Sequence, residues 1–346
     1  MIDPTDPLLV TGAAGFIGAR VVRNLIERGF RRIRCFTRRS DQTMRNNAAG
    51  WRDAPGVEVI HGNLLSPEDC GRAAANVGLI YHLAAGRGEK SFPDAFMNSV
   101  VTTRNLLEAA RHHQCLKRFV NISSFATYTN KDKPQGRLLD ETCPIEQRPE
   151  LRGDAYCFAK VKQDELVIDY GKRFGLPYVI VRSGYVYGPG NPGISGRVGI
   201  DTFGIFLHLG GSNPVPLSYV DNCAEAIVLA GLTPGVDGEV FNVVDDDLPS
   251  SRQFLRLYKQ NVGRFRSIYV PSLASWLLCY LWERYSKWSQ GQLPPVFNRR
   301  RWHAEWKGSR YSNAKLKQRL GWNPKVGVDE GLRLHFEACR EKKRHA

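Results

Sequence analysis

The sequence predicts an α/β protein: a doubly wound parallel sheet covered by helices on both faces, with a smaller C-terminal lobe over the carboxyl ends of its strands. Three observations carry that expectation. Between residues 7 and 245, apolar runs of strand length alternate with amphipathic runs of helix length, the pattern of a sheet buried on both sides. A three-glycine turn, TGAAGFIG, separates the first such strand from the first helix. With 346 residues, 42% of them hydrophobic, the chain has the material for a sizeable core.

PLLVTG reads as the first strand and FIGARVVRNLIERG as the helix after it; RIRCFT, VEVIHG and GLIYHLAA are the next three strands. A helix through NSVVTTRNLLEAARHH leads to the strand KRFVNISS. The long helix YCFAKVKQDELVIDYGKRFG and the strand LPYVIVRSGYVYG carry this first domain, residues 1–188, to its end. YVDNCAEAIVLAGL and GEVFNVVDD add a helix and a strand that return to it over residues 219–245. The stretches 189–218 and 246–335 are expected to form the smaller, substrate-binding lobe, and the basic end, 336–346, a frayed tail. No internal repeat or low-complexity tract interrupts this plan.

The glycines need a reason. Between a strand and a helix, Gly12 permits a tight turn, Gly15 lets a pyrophosphate approach the backbone, and Gly18 lets the helix press against the sheet. The helix N-terminus then offers free N–H groups to phosphate, so the turn reads as a dinucleotide site.

Its spacing is G-x-x-G-x-x-G, and behind it come HGNLL, YHLAA, NSVVTTRNLLEAA, ISSFATY, YCFAK and VRSGYVYGPG in that order. With these motifs the chain resembles the extended short-chain dehydrogenases/reductases, the NAD-dependent epimerase/dehydratase family, over about residues 7–245; the branch of 3β-hydroxysteroid dehydrogenases is the nearest. The resemblance implies a Rossmann-type domain. Its cofactor would lie against Gly12, Ala14, Gly15, Phe16, Ile17 and Gly18, then Arg38 and Arg39, Asn63 and Leu64, Leu83, Ala84 and Ala85, Asn98, and finally Tyr156 and Lys160.

In YCFAK, Tyr156 and Lys160 are four residues apart and share one face of a helix. A phenol with a pKa of about 10 is a poor base at neutral pH; an adjacent ammonium favours the phenolate, and a lowering of about three units corresponds to roughly 4 kcal/mol. Tyr156 can then exchange a proton with a substrate hydroxyl while hydride passes to or from a nicotinamide. A hydroxyl at the strand end FVNISSFATYTN would bond the reacting oxygen. Family members often carry Ser or Thr at the position held here by Phe125, which cannot serve, so Ser124 is the expected third catalytic group, Ser123 a structural residue and Thr127 the second choice.

Two further departures bear on the cofactor. Asn63 stands in for an acid near the adenine, where its amide oxygen can accept a hydrogen bond from the adenine amino group. CFTRRSD puts Thr37 where NAD-dependent relatives hold the ribose with an acid, and Arg38 and Arg39 follow; an arginine there suits a 2′-phosphate, so NADP is expected, with NAD the alternative.

A net charge of +15 invites a nucleic-acid reading. The cations run from Arg20 to Arg344 without a recognisable nucleic-acid motif, so no specific nucleic-acid partner is expected; a solvated basic surface, a small anionic substrate or an anionic membrane surface accounts for them as well. Eight cysteines without C-x-x-C spacing suggest reduced thiols and no metal site, and the leader MIDPTDP carries no export signal, so a cytoplasmic location is expected. Nucleotide-sugar enzymes of the family usually carry an arginine where this chain reads NPVPLSYVDN, with Leu217 and Ser218 instead. PSLASWLLCYLWERYSKWSQG holds Trp276, Trp282 and Trp288, with Leu273, Leu277, Tyr280 and Leu281 at helical spacing. Its apolar core of about ten residues is too short to span a bilayer. It reads as a helix packed on the substrate lobe, with an apolar substrate wall or a peripheral membrane contact as alternatives. The expected activity is that of a homodimeric dehydrogenase or reductase acting on a small molecule, a secondary alcohol or ketone of bulky, sterol-like shape. A nucleotide-sugar epimerase or dehydratase is the alternative; a cofactor-binding protein without catalysis is disfavoured by Tyr156 and Lys160.

Overall fold

The structure, a computed structural model, describes residues 2–38, 50–86, 91–113, 115–202, 204–290 and 292–344. Along the chain, β1 (Leu8–Thr11), α1 (Gly18–Glu27), β2 (Ile33–Thr37), β3 (Val57–His61), α2 (Pro67–Ala74) and β4 (Leu79–His82) precede a helix in three parts: α3 (Phe92–Ala95), a π-helical turn (Phe96–Val101) and α4 (Thr102–Arg111). Next come β5 (Arg118–Ser124), β6 (Arg137–Leu139), α5 (Ala155–Phe174), β7 (Tyr178–Ser183), β8 (Tyr185–Tyr187), β9 (Gly199–Thr202), β10 (Ile205–His208) and β11 (Leu217–Tyr219). Then follow α6 (Val220–Leu232), β12 (Val240–Val243), α7 (Ser251–Asn261), β13 (Ser267–Tyr269), α8 (Ser272–Trp288), α9 (Arg299–Glu305), β14 (Ser309–Tyr311), α10 (Ala314–Leu320) and α11 (Val328–Arg344).

Seven strands form one sheet in the order β12-β7-β5-β4-β1-β2-β3, every neighbouring pair parallel. Its central strands are buried at every position, as helices on both faces require. Alternate residues feed two cores: Leu8 and Val10 pack with Val21, Val22 and Leu25 of α1, and Leu9 and Ile80 with Leu106 and Leu107 of α4. From β1 the chain builds outward in both directions, so a crevice opens above the carboxyl ends of β1 and β4.

The structure departs from the sequence reading in three places. LPYVIVRSGYVYG is two strands, because the chain bends at Gly184 and β8 leaves the large sheet to pair with β11. A Cβ at Gly184 would lie 2.3 Å from the Pro216 carbonyl oxygen, so only glycine allows that approach. The stretch 246–335 does not belong wholly to a second lobe: Leu316, Leu320 and Trp322 join the core under α1 and α6, where the Trp322 indole donates to the Asn222 carbonyl at 3.0 Å. Nor does a frayed tail begin at 336. Leu332, Phe336 and Cys339 recur at helical spacing, and α11 buries all three, with Phe336 against Phe254.

Beneath the crevice His82 is fully buried. Thr103 donates its hydroxyl proton to the Ser99 carbonyl at 2.6 Å, so the His82 Nε2, 2.8 Å from that same oxygen, must be the donor there. Nδ1 then accepts from Thr11 Oγ1 at 2.8 Å, and Thr11 in turn accepts the Ala84 N–H at 3.2 Å. Only a neutral imidazole fits this chain of bonds. Burial, reinforced by the charge of Lys160, pushes its pKa down to about 3.

An imidazole in the unfolded chain takes up its proton near pH 6.5, so the stability contributed by neutral His82 is complete above about that pH and is lost toward pH 3, at about 1.4 kcal/mol per pH unit. Denaturant unfolding followed downward from about pH 6.5 should therefore show a slope shallower by about one proton in His82→Gln than in the parent; equal slopes would mean that the imidazole titrates freely in the folded chain.

Candidate active site

At the end of β1, Gly12 adopts φ +68°, and a Cβ on it would lie 3.0 Å from the Ala84 backbone nitrogen. The Gly15 N–H closes the turn on the Gly12 carbonyl at 2.9 Å. A Cβ at Gly18 would come within 2.1 Å of that same carbonyl oxygen. The third glycine thus serves the turn's own backbone, where the spacing suggested contact with the sheet. α1 starts at Gly18 with no side chain capping its N-terminus; Ala19 and Arg20 donate to the carbonyls of Gly15 and Ile17, so the turn from Gly12 to Gly18 brings its own backbone and the positive end of the helix dipole to the cleft. That arrangement fits a pyrophosphate.

All the expected site residues that the structure describes line one cleft of about 790 Å³: Gly12, Ala14, Gly15, Phe16, Ile17 and Gly18, Arg38, Asn63 and Leu64, Leu83, Ala84 and Ala85, Asn98, Ser124, Tyr156 and Lys160. Arg39 lies outside the described residues. Arg38 is exposed at the end of β2, next to a buried Thr37 whose hydroxyl is 3.2 Å from His61 Nδ1. The Asn63 side-chain oxygen accepts the Leu65 N–H at 3.0 Å in the local turn and keeps a second lone pair for another donor.

Asp154 caps α5 by accepting the N–H groups of Tyr156 at 3.0 Å and Cys157 at 3.2 Å. The cap sets Tyr156 in the first turn, 37% exposed at the cleft, with Lys160 buried one turn further on. The Lys160 ammonium donates to the Ile122 carbonyl at 2.6 Å and to Gln163 Oε1 at 2.9 Å. Burial pushes its pKa down to about 8 and Asp164 opposes the shift, so near neutral pH the charge remains.

At the end of β5, Ser124 lines the cleft and its Oγ accepts the Ala126 N–H at 3.2 Å. Ser123 faces the other way and donates to Asp164 Oδ2 at 2.9 Å, a carboxylate that also receives Asn121 Nδ2 and Arg182 Nε. Thr127, the second choice for the catalytic hydroxyl, is buried away from the cleft and donates to the Ser124 carbonyl at 2.9 Å. Phe125 fills the adjoining core, stacked on Tyr311.

The far end of the cleft holds Arg152, Arg197, Arg301 and Glu305, which the sequence reading did not single out. Glu305 lies 3.1 Å from Arg301 and 3.9 Å from the buried Arg152, while Arg197 donates to the Ala304 carbonyl at 2.8 Å. Arg152 stands just before the Asp154 cap, a local signal that could have flagged it; Arg197, Arg301 and Glu305 arrive through tertiary packing alone. Leu217 and Ser218 are buried in β11.

The description "NAD dependent epimerase/dehydratase family" matches residues 8–243. The chain belongs to this family. It is therefore an enzyme of the NAD-binding, extended short-chain dehydrogenase/reductase type. Similar proteins include a trifunctional UDP-glucose 4,6-dehydratase/UDP-4-keto-6-deoxy-D-glucose 3,5-epimerase/UDP-4-keto-L-rhamnose-reductase of Arabidopsis thaliana, 27% identical over 68% of this chain and 36% of that protein, so the chain spans about a third of its length. A 2-alkyl-3-oxoalkanoate reductase of Stenotrophomonas maltophilia is 25% identical over 94% of this chain and 97% of its own. A 3-beta-hydroxysteroid dehydrogenase of Mycolicibacterium neoaurum is 27% identical over 76% and 74%, respectively. Among solved structures, gox2253 shares the fold with a TM-score of 0.80 at 22% identity, over 98% of this chain and 99% of that one.

The two serines separate by experiment. Ser123→Ala takes a donor from the fully buried Asp164, whose pKa burial already raises, and should cost about 1–3 kcal/mol in denaturant unfolding. Ser124→Ala, half-buried at the cleft, should stay within about 0.5 kcal/mol of the parent; the reverse order would mean that the register at the end of β5 is shifted by one residue.

Proposed function

We propose that the protein is an NAD(P)-dependent oxidoreductase that moves hydride between the nicotinamide and the carbon of a secondary alcohol or ketone, on a bulky, sterol-like small molecule, with NADP as its preferred cofactor. The supporting observation is that Ser124, Tyr156 and Lys160 line the same cleft as the glycine cradle. When bound, the cofactor supplies or takes up the hydride. Tyr156, at the exposed end of the triad, exchanges the proton of the substrate oxygen. The buried Lys160 ammonium favours the phenolate form of its neighbour, and the Ser124 hydroxyl donates to the same substrate oxygen as charge develops there.

The sterol-like substrate draws support from the 3-beta-hydroxysteroid dehydrogenase among the relatives, and from Leu217 and Ser218 standing where nucleotide-sugar enzymes usually carry an arginine. A nucleotide-sugar epimerase or dehydratase is the second reading, favoured by Arg197 and Arg301 at the far end, where they would meet a diphosphate. Cofactor turnover distinguishes the two. A dehydrogenase changes nicotinamide absorbance in proportion to substrate consumed, and an epimerase leaves it unchanged.

Replacing Tyr156 by Phe should leave cofactor binding nearly intact and lower turnover by about 10²–10⁴-fold, the usual contribution of a positioned acid–base group. Retention of more than about a tenth of the parent activity would remove Tyr156 from the mechanism.

The cofactor preference rests on Arg38, exposed in the cleft beside a residue that carries no acid. A charge-assisted hydrogen bond of roughly 1.5–3 kcal/mol corresponds to an NADP preference of about 10- to 150-fold, most of which Arg38→Ala should abolish in titrations with both oxidised cofactors. Tighter binding of NAD by the parent would reverse this assignment.

A further inference from the structure

Helix α8 turns Trp276 and Cys279 to a small apolar cluster with Leu209, Trp302 and Trp306 and leaves its leucines outside. The side it turns to the protein carries Ser275, Cys279 and Ser286, all buried; the Trp302 indole donates to Ser275 Oγ at 2.9 Å, and Ser286 donates to the Leu293 carbonyl at 2.6 Å. Its outward side carries Leu273, Leu277, Leu278, Leu281, Tyr285 and Trp288, with Leu273 and Trp288 each 78% exposed. Ile268 and Tyr269 of β13, just before it in the chain, are exposed as well. The helical spacing suggested that Leu273, Leu277 and Leu281 pack on the substrate lobe; the structure turns them to the outside. A row of large apolar side chains held in water is the mark of a contact surface.

The surrounding charge selects the occupant. Residues 251–301 hold ten Lys and Arg against a single acid, Glu283, so +9 of the chain's +15 falls in this stretch. Arg252, Arg256, Arg264, Arg266, Arg284 and Lys287 are exposed, while the Glu283 carboxylate is engaged by Arg299 at 3.0 Å and Lys287 at 3.1 Å. A second copy of this chain docked symmetrically through α8 would press two such basic faces together. An anionic lipid surface takes both the apolar row and the cations. Among the described residues no helix is long and apolar enough to cross a membrane, so the contact is one that lies in the interface.

We propose that α8 seats the protein on anionic phospholipid membrane, with its Leu, Tyr and Trp side chains at the acyl boundary and the neighbouring Arg and Lys on the headgroups. The contact adjoins the catalytic cleft, because α8 is tied through Ser275 and Trp302 to α9, whose Arg301 and Glu305 line the far end. An apolar substrate dissolved in the bilayer is thereby held close to that end.

Full-length protein sedimented with phosphatidylcholine vesicles, with and without phosphatidylglycerol, tests this. The expected result is at least about tenfold greater partition onto the anionic vesicles, weakening as salt is raised. Leu277→Glu with Leu281→Glu should abolish it by about tenfold or more at unchanged thermal midpoint, since both side chains already face water. Arg284→Gln with Lys287→Gln should weaken binding without touching the apolar row. Equal partition onto neutral and anionic vesicles, or none on either at low salt, overturns the proposal. So does a lipid-free dimer in sedimentation velocity that Leu277→Glu with Leu281→Glu turns into a monomer, which would make the face a contact between copies of the chain.

Discussion

A lysine ammonium held inside the protein, with no carboxylate in ion-pair contact among the described residues, is the constraint around which the site is arranged. Lys160 gives its protons to the Ile122 carbonyl and to Gln163; Gln163 donates to Thr103 at 2.7 Å, and Thr103 is the oxygen on which His82 closes. His82 leads on to Thr11 and from there to the Ala84 N–H at the edge of the glycine turn. One run of bonds, each donor matched to an acceptor, thus joins α5 to the end of β1. It allows a single protonation pattern. The imidazole is neutral and the amine charged: burial disfavours a charged imidazole, and the nearby ammonium adds to that.

The sheet supplies the rest of the placement. In a parallel sheet every carboxyl end lies at the same edge, so the turn after β1, the loop after β4 and the serine at the end of β5 meet over one crevice. The last two residues of β5 show how finely the pleat divides labour. Ser123 reaches a buried carboxylate and Ser124, its neighbour, reaches the cleft, because successive side chains on a strand face opposite sides. Asp154 then sets the start of α5, and so decides which turn of that helix meets the cleft.

Outside the sheet the chain uses fewer strands and more single contacts. β8 leaves the main sheet at Gly184, α10 packs into the core beside α1, and α8 is held by two serines, by Trp276 and Cys279 in the cluster around Trp302 and Trp306, and by the Glu283–Arg299 pair. Glu305 sits between Arg301 and Arg152, bringing the C-terminal part of the chain against the loop before α5. The cleft is therefore walled on one side by the sheet's own edge and on the other by side chains drawn from widely separated stretches.

What the sequence by itself determined is what local sterics and periodicity determine. The alternation of strands and helices through the large sheet, the three glycines of the turn, the Tyr156–Lys160 pair and the serine at the end of β5 all follow from residues close together in the chain, and the glycines, Tyr156, Lys160 and Ser124 line one cleft. Tertiary structure alone decided the far end of the cleft, since Arg197 and Arg301 share no local pattern. It also decided the direction of α8. Helical spacing tells which side chains share a face, not which face meets the protein. In α4 the apolar face of Leu106, Leu107 and Ala110 found a sheet to cover. In α8 the inward positions went to Ser275 and Ser286, which bond an indole N–H and a backbone carbonyl, and to Trp276 and Cys279, which join a small apolar cluster, and the leucines were left outside.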